Sequence, residues 1–204
     1  MTLFPVVLSV PDGLLSQRGR ERVALLSGRA RQALKLSADK AGVVLQDLSK
    51  DKDDVPLPSG GYHWSVSHKP KYVAAVISSS PAGIDIEEVR PRKRSIFSYV
   101  ASEEEWELCG GQSWDALYRI WTAKEAVVKA AGTGLAGMRA CRVVSVPDES
   151  QMLLFYRDSL HTVEQLRFNG HVVAVLRDDS DIEWILPGKT SEPMDSRANI
   201  VTNP

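Results

Sequence analysis

Two six-residue stretches decide the fold: "YVAAVI", Tyr72–Ile77, and "HVVAVL", His171–Leu176. Each is a short run of small and β-branched apolar residues, which predicts a buried strand. Each also follows a helical pattern and a hairpin-like segment. Because both halves of the chain show this order, we predict an α/β (α+β) fold of two similar α/β lobes. The lobes are expected to pack as a pseudo-dimer, with the active site in the cleft between them.

The remaining elements are predicted outward from these two strands. The first lobe, residues 1–98, begins with a strand at Val6–Val10 and a helix at Gly19–Leu36. The second lobe, residues 99–186, has a helix with a capping box at Ser102–Cys109 and a longer helix at Leu117–Ala131 that ends at "GTG". Further strands are predicted at Cys141–Val146, Met152–Arg157 and Thr162–Phe168. The polar, aperiodic residues 187–204 are predicted to be a disordered tail.

The composition excludes several classes of protein. The 204 residues are 43% hydrophobic and 25% charged, which is typical of a soluble globular protein. A net charge of −1 gives no general attraction to nucleic acid. The N-terminus lacks the basic region of a signal peptide, and no apolar run is long enough for a membrane span. The two cysteines, Cys109 and Cys141, are too few for a disulfide framework, so we expect reduced thiols in a cytoplasmic protein.

The stretch "AGIDIEEVRPRKR", Ala82–Arg94, places two acids on one face of a strand. Side chains alternate along a strand, so Asp85 and Glu87 point the same way and Ile86 points opposite. Two neighbouring carboxylates repel each other unless water, a cation or a shared proton lies between them. A solvated edge strand is the simplest alternative for such a pair.

The stretch "WTAKEAVVKAAGTGL", Trp121–Leu135, predicts a helix with a functional stripe. Trp121, Glu125 and Lys129 are spaced four residues apart and therefore share one face. The alternative is an ordinary surface pair of Glu and Lys. A large Trp on the same stripe favours a face that lies against something.

These two segments, together with "SVSH" at Ser65–His68, resemble the motifs of the 4′-phosphopantetheinyl transferases. The resemblance covers Tyr62–Leu135, and the chain length is similar to that of the two-lobed surfactin-synthetase-type branch. It implies a holo-[acyl-carrier-protein] synthase that moves 4′-phosphopantetheine from coenzyme A to a serine of an apo acyl or peptidyl carrier protein. The reaction would require Mg²⁺ and release 3′,5′-ADP. The resemblance also implies a monomer with neither nucleic acid nor membrane as a partner.

The resemblance implies roles for individual residues. Glu125 would take the proton from the acceptor serine, directly or through a water, and Lys129 would bind the pyrophosphate of coenzyme A. Ser67 and His68 would bind its 3′-phosphate. Lys124 would support the acids from outside. The Mg²⁺ ligands would be Asp85, Glu87 and Glu125.

The sequence departs from the family pattern at two places. Ser65 stands where the family has Asn, which should weaken a hydrogen bond made by that amide. The family's Gly-Lys-Pro segment is replaced by "SKDKDDVP", in which Lys52 is the candidate phosphate ligand and Lys50 its rival. The resemblance implies that cations for the adenosine phosphate would come from the first helix, with Arg20 and Arg29 as the candidates. The arginines that compete for this role are Arg20, Arg22, Arg29 and Arg31.

The basic run that follows the acidic strand predicts a docking site for an acidic carrier protein. It emerges beside the predicted metal ligands, where a carrier must present its serine. Tyr99 and Trp106, farther along the chain, would add apolar contacts. A solvated basic loop is the alternative. The cations of the run are Arg90, Arg92, Lys93 and Arg94.

Two other functions fit the same fold. One is a non-catalytic module that binds carrier proteins, which loss of a metal ligand would favour. The other is an Mg²⁺-dependent phosphohydrolase acting on coenzyme A. Release of 3′,5′-ADP without a carrier protein would favour that function.

Overall fold

The computed structural model describes residues 2–11, 13 and 18–188. These residues form two larger sheets and one two-stranded sheet together with helices. The predicted α/β class is confirmed. The predicted tail, apart from Pro187 and Gly188, lies outside the described residues. In the described part of the chain, no helix is sufficiently long and apolar to span a membrane.

The first larger sheet has three antiparallel strands in the order β2-β4-β3. Helix α1 packs on it through Ala30, Ala33 and Leu34, which are buried. The helix continues five residues beyond the predicted Leu36. It ends at Gly42, whose left-handed φ of 70° lets its N–H bond back to the last turn. The elements are β2 (Val6–Ser9), α1 (Gly19–Ala41), β3 (His63–His68) and β4 (Tyr72–Ser78).

The second larger sheet has five antiparallel strands in the order β5-β9-β8-β7-β6. Its face is covered by α4, which begins after the N-cap Ser113. The predicted capping box is confirmed, with Ser102 and Glu105 bonded to each other's backbone N–H. The elements are β5 (Ile84–Glu88), α2 (Phe97–Val100), α3 (Glu103–Leu108), α4 (Trp114–Ala130), β6 (Arg142–Ser145), β7 (Gln151–Tyr156), β8 (Ser159–Phe168) and β9 (His171–Leu176), with 3₁₀ turns at Arg94–Ile96 and Gly134–Gly137.

The two sheets share one order of elements: a strand, a helix and then a hairpin whose second strand pairs with the first strand. In the first, β2 leads to α1 and then to the hairpin β3–β4, and β4 pairs with both β2 and β3. In the second, β5 leads to α4 and finally to the hairpin β8–β9, and β9 pairs with both β5 and β8. The stretches "YVAAVI" and "HVVAVL" therefore occupy equivalent strands. The second sheet is extended by β6 and β7, which have no counterpart among the described strands of the first sheet.

A lobe boundary at residues 98 and 99 stays a prediction, but the strand pairing bears on it. Strand β5 lies before that boundary and hydrogen bonds to β9 of the second sheet. Near the other end of the second lobe, β10 (Asp181–Ile182) returns to pair with β1 (Thr2–Leu3). Backbone pairing thus favours a first unit that ends before β5.

The edges of the two sheets meet at β3 and β5. The hydroxyls of Ser65 and Ser67 on β3 accept hydrogen bonds from the backbone N–H groups of Ile84 and Ile86 on β5, at 3.2 and 3.3 Å. Ser65, which departs from the family pattern, therefore has a structural role. Behind this contact lies an apolar layer between the sheets. Its buried members are Leu3, Val7, Ala74, Val76, Ala82, Ile84, Ile86, Val173 and Val175.

Candidate active site

Three acidic side chains line one cleft where β3, β5 and α4 meet. The cleft has a volume of about 380 Å³. Asp85 and Glu87 face α4, because the alternation along β5 turns Ile84 and Ile86 into the apolar layer. Glu125 faces them from the helix. The cleft is lined by Lys50, Val66, Ser67, His68, Lys69, Asp85, Glu87, Trp121, Glu125, Lys129 and Leu135.

Gly83 allows the acidic strand to approach the helix. A Cβ atom at this position would lie 1.8 Å from the backbone oxygen of Ala126 on α4. No residue with a side chain fits there without moving the helix or the strand. The glycine before the acidic pair therefore sets the short distance between β5 and α4.

Asp85 lies at the centre of a short hydrogen-bond network. Its Oδ1 accepts from the Ser67 hydroxyl and from Lys129 Nζ, both at 2.7 Å. Lys129 also donates to the backbone oxygen of Ile84 at 3.1 Å. The Asp85 Oδ2 atom is buried and has no hydrogen-bond partner among the described residues. A buried carboxylate oxygen without a partner is costly, which marks this atom as a ligand position.

Glu87 and Glu125 are both held in environments that disfavour their charge. Burial, and then the negative charge of Asp85, raises the pKa of Glu87, although Lys69 Nζ pairs with it at 2.8 Å. The same two causes raise the pKa of Glu125 to about 7. Among the described residues, the side chain of Glu125 has no hydrogen-bond or ion-pair partner. A cation placed between these acids would relieve their repulsion.

The donor set suits a hard divalent cation in its chemistry. Mg²⁺ prefers oxygen ligands and takes a few carboxylates together with phosphate and water. The open Asp85 Oδ2 atom and the unpaired Glu125 agree with this preference. Within the described residues, however, no three Asp, Glu, His or Cys side chains are arranged closely enough to hold an ion. Of the three acids, Glu87 is the least available to an ion, because its Oε1 atom pairs with Lys69 Nζ.

Cations gather on the side of the cleft formed by the first sheet. A second cavity of about 370 Å³ shares Lys50 and His68 with the cleft and adds Arg31 from α1. Burial, followed by the charges of Lys69 and Lys129, lowers the pKa of the His68 imidazole. This neighbourhood has the positive charge that a phosphate group requires.

Several predicted ligands lie elsewhere. Lys52 is 88% exposed and paired with Asp53, and it does not line the cleft, whereas its rival Lys50 does. Arg29 donates to the backbone oxygen of Ser9 and to Gln32, and it lines neither cavity. Arg20 also lies outside both linings. Among the helix arginines, geometry thus favours Arg31, because it is the one that reaches the cavity beside His68.

Two further side chains were given roles by the motifs. The Ser67 hydroxyl donates to Asp85 and accepts from a backbone N–H, so it is placed to orient the acid, and its contact with the 3′-phosphate stays a prediction. The prediction for Lys124 needs correction, because it does not support the acids of the cleft. It is 1% exposed, points away from the cleft, and pairs with Glu105 at 2.7 Å while donating to the backbone oxygen of Val100. Its direction depends on packing, which spacing alone does not determine.

Lys69 is the cleft residue that the motifs did not indicate. It follows His68 directly, at the turn that joins β3 to β4, where its N–H bonds to the Tyr72 backbone oxygen at 2.8 Å. The signal that could have found it is its position beside the "SVSH" segment. A turn residue next to a functional strand end often faces the same site.

Sequence comparisons agree with this geometry. The family model of the 4′-phosphopantetheinyl transferase superfamily matches residues 81–176, which contain the three acids and Lys129. A 4′-phosphopantetheinyl transferase, AcpT of Salmonella typhimurium, is 31% identical over 134 residues, which cover 60% of this chain and 67% of that protein. The chain belongs to the 4′-phosphopantetheinyl transferase superfamily. The family predicted from the motifs is therefore confirmed.

The superfamily relatives also include Bacillus proteins. The 4′-phosphopantetheinyl transferase Sfp of Bacillus subtilis is 28% identical over 131 residues, covering 62% of this chain and 54% of that protein. Another Bacillus subtilis 4′-phosphopantetheinyl transferase is 30% identical over 113 residues, covering 53% of this chain and 50% of that protein. The chain spans about half the length of these two relatives.

Proposed function

We propose that the protein transfers 4′-phosphopantetheine from coenzyme A to a serine hydroxyl of an apo acyl or peptidyl carrier protein and releases 3′,5′-ADP. The observation that carries this proposal is the position of Glu125. It is buried, has no ion-pair partner among the described residues, and faces Asp85, Glu87 and Lys129 in one cleft. A monomeric, cytoplasmic protein fits this activity, and both properties are part of the proposal.

Glu125 is suited to act as the general base. Burial raises the pKa of Glu125 to about 7 in the metal-free protein, so this carboxylate takes up a proton more readily than an exposed one, and a bound cation would lower that pKa. In the proposed step, the serine oxygen attacks the β-phosphorus of coenzyme A and its proton passes to Glu125. The bond between that phosphorus and the bridging oxygen breaks, and 3′,5′-ADP leaves with this oxygen and the electron pair of the bond. Lys129, at the edge of the cleft, offers an ammonium group to the pyrophosphate.

Asp85, Glu87 and Glu125 are the proposed Mg²⁺ ligands. When bound, the ion would neutralise charge on the pyrophosphate and on the departing ADP. Support for this assignment comes from the all-oxygen donor set and from the buried, unpartnered Asp85 Oδ2. The chain's own contribution is to place three acids around one cleft, with the Ser67 hydroxyl orienting the first of them.

The cavity beside the cleft is the proposed site for the 3′-phosphate of coenzyme A. It brings His68, Lys50 and Arg31 to one surface of the first sheet and α1. We expect His68→Ala to weaken binding of coenzyme A more than binding of dephospho-coenzyme A, which lacks the 3′-phosphate. Isothermal titration with the two ligands measures the difference, and equal losses would remove His68 from this role.

The basic run after β5 is the proposed docking site for the carrier protein. Arg90, Arg92, Lys93 and Arg94 are all exposed. Tyr99 is 37% exposed and can add an apolar contact, but Trp106 is 2% exposed inside the core and cannot. The double change Lys93→Glu and Arg94→Glu should raise the KM for carrier protein several-fold, more at low salt, and leave the KM for coenzyme A unchanged. If the KM for carrier protein changed neither with the double substitution nor with ionic strength, this docking site would be contradicted.

A transfer assay distinguishes the proposed function from its alternatives. Labelled coenzyme A is incubated with Mg²⁺ and a panel of apo fatty-acid, polyketide and peptide-synthetase carriers, and label on each carrier is measured by mass. Transfer is expected to one or more carriers. Release of 3′,5′-ADP without a carrier would instead favour the phosphohydrolase. Carrier binding without transfer would favour the non-catalytic module.

A further inference from the structure

Two neighbouring ion pairs join the β3–β4 turn to β5. Lys69 Nζ lies 2.8 Å from Glu87 Oε1, and Lys71 Nζ lies 3.0 Å from Glu88 Oε1. Because Glu87 and Glu88 are consecutive strand residues, they point to opposite sides. Lys69 and Glu87 line the cleft, while Lys71 and Glu88 do not. The molecule therefore contains one ion pair inside the site and a matched pair outside it.

The three acids differ in how their oxygens are used. Glu87 has a cation near each oxygen, with Lys69 at Oε1 and Arg92 Nη2 3.8 Å from Oε2. Asp85 uses one oxygen and leaves the other buried without a partner among the described residues. Glu125 is unpaired within that same part of the chain. Glu125 is thus unpaired, Asp85 pairs with Lys129 through one oxygen only, and Glu87 has a cation near both of its oxygens.

We propose that Lys69 is a positioning residue that holds Glu87 back from a divalent cation and thereby sets the metal affinity of the cleft. An ammonium group and a metal ion compete for the same carboxylate oxygen and repel each other. Lys69 also stabilises Glu87 before an ion arrives, since a buried carboxylate without a counter-ion is costly. Asp85 and Glu125 would then receive the ion first, and Glu87 would join after Lys69 moves aside. This inference rests on the proposed function only in taking the three acids as metal ligands.

Binding of Mn²⁺ alone tests the proposal without any enzyme assay. Free Mn²⁺ is followed by electron paramagnetic resonance as it is titrated with the full chain, without coenzyme A. Lys69→Ala should bind Mn²⁺ about tenfold more tightly than the wild type, since it removes one positive charge from the ligand cluster. Lys69→Arg keeps the charge and should restore wild-type affinity. Lys71→Ala is the matched control and should leave the affinity unchanged.

Each outcome of the titration decides the proposal. Tighter binding by Lys69→Ala, or binding by that variant where the wild type shows none, supports it. Unchanged or weaker binding by Lys69→Ala, an equal gain in Lys71→Ala, or no binding by any variant overturns it. Thermal unfolding checks that each variant is folded. The transfer assay with the wild type is separate, so failure of the transferase proposal is distinguishable from failure of the role of Lys69.

Discussion

Helices α1 and α4 occupy equivalent places on the two sheets but bury very different side chains. The face of α1 toward its sheet is made of small and aliphatic residues such as Ala33 and Leu34, and its charged residues lie at the surface. On α4, even Arg119, Lys124 and Glu125 are buried. The difference arises because α4 packs against its own sheet, including the edge strand β5, and against α2, while Lys124 pairs with Glu105 of α3.

This comparison shows how one repeated connection can serve two tasks. An enclosed helix can hold charged groups away from water, where their interactions are strong and their pKa values shift. An exposed helix can place an arginine at the rim of a cavity, as α1 places Arg31 beside His68. The proposed catalytic acid therefore lies on α4, and the proposed phosphate-binding arginine lies on α1.

The largest expected effect is loss of transfer in Glu125→Gln. Removing a general base costs about 10²–10⁴-fold in rate, and the amide also removes a proposed metal ligand. The rate of carrier labelling at saturating coenzyme A and Mg²⁺ measures the loss. Near wild-type turnover would contradict the assignment of Glu125. Gln32→Ala, on the exposed side of α1, is the control and should keep full activity.

Lys124→Met should destabilise the protein strongly. It leaves Glu105 buried without its cation, and breaking a buried ion pair costs about 3–5 kcal/mol. The matched change on α1 is Lys35→Met, which breaks an exposed pair with Asp39 that is worth about 0.3–0.5 kcal/mol. Urea unfolding of both variants measures the contrast. Similar losses in the two helices would mean that enclosure of α4 does not strengthen its ion pair.

Gly83→Ala should lower both stability and activity. Its Cβ would meet Ala126 of α4, and overpacking of this kind costs about 1–3 kcal/mol. Gly28 on α1 is the control, because a Cβ there has no heavy atom within 4 Å. Gly28→Ala should stabilise the protein by about 0.5–1 kcal/mol. If Gly83→Ala unfolded at the wild-type urea concentration, the close approach of β5 and α4 would not be tight.

A further expected effect is a pH dependence of stability without metal. The folded protein raises the pKa of Glu125 from 4.5 to about 7 and so binds its proton more tightly than the unfolded chain. Stability should therefore fall as pH rises between these two values. The glutamine in Glu125→Gln does not titrate. In EDTA, the stability of this variant relative to the wild type should therefore rise with pH up to about pH 7, by the same linkage.

The same substitution at Glu21 tests whether burial causes the pH effect. Glu21 lies on the exposed first turn of α1 and lacks the burial that acts on Glu125. Thermal unfolding at several pH values compares the two variants with the wild type. A gain of equal size in Glu21→Gln would show that the effect does not come from the enclosed helix.

Much of the site was predictable because it depends on local periods. Alternation along β5 put Asp85 and Glu87 on one face, and the four-residue spacing on α4 aligned Glu125 with Lys129. Both patterns follow from the side-chain directions along a single strand or helix, which depend only on local backbone geometry. The capping box at Ser102 was predictable for the same reason. Together, these motifs were enough to recognise the superfamily.

Side-chain partners across the molecule were not predictable in this way. Lys50 and Lys52 differ by two positions in one loop, yet only the path of that loop decided that Lys50 lines the cleft. Lys124 neighbours Glu125, but the turn of the helix directs it to Glu105 on the other side. The partner of each side chain depends on which surfaces pack together, and the spacing of residues within one element does not determine that packing.

The sequence by itself determined the family, the α/β class and the acids of the site, because strand alternation and helical spacing are local properties. Only the tertiary structure decided that β5 pairs with β9, that Trp106 is buried, and that Lys69 forms an ion pair with Glu87. These facts arise where separate elements meet. Their physical cause is the fit between distant surfaces, in which one glycine at position 83 brings the acidic strand against the helix.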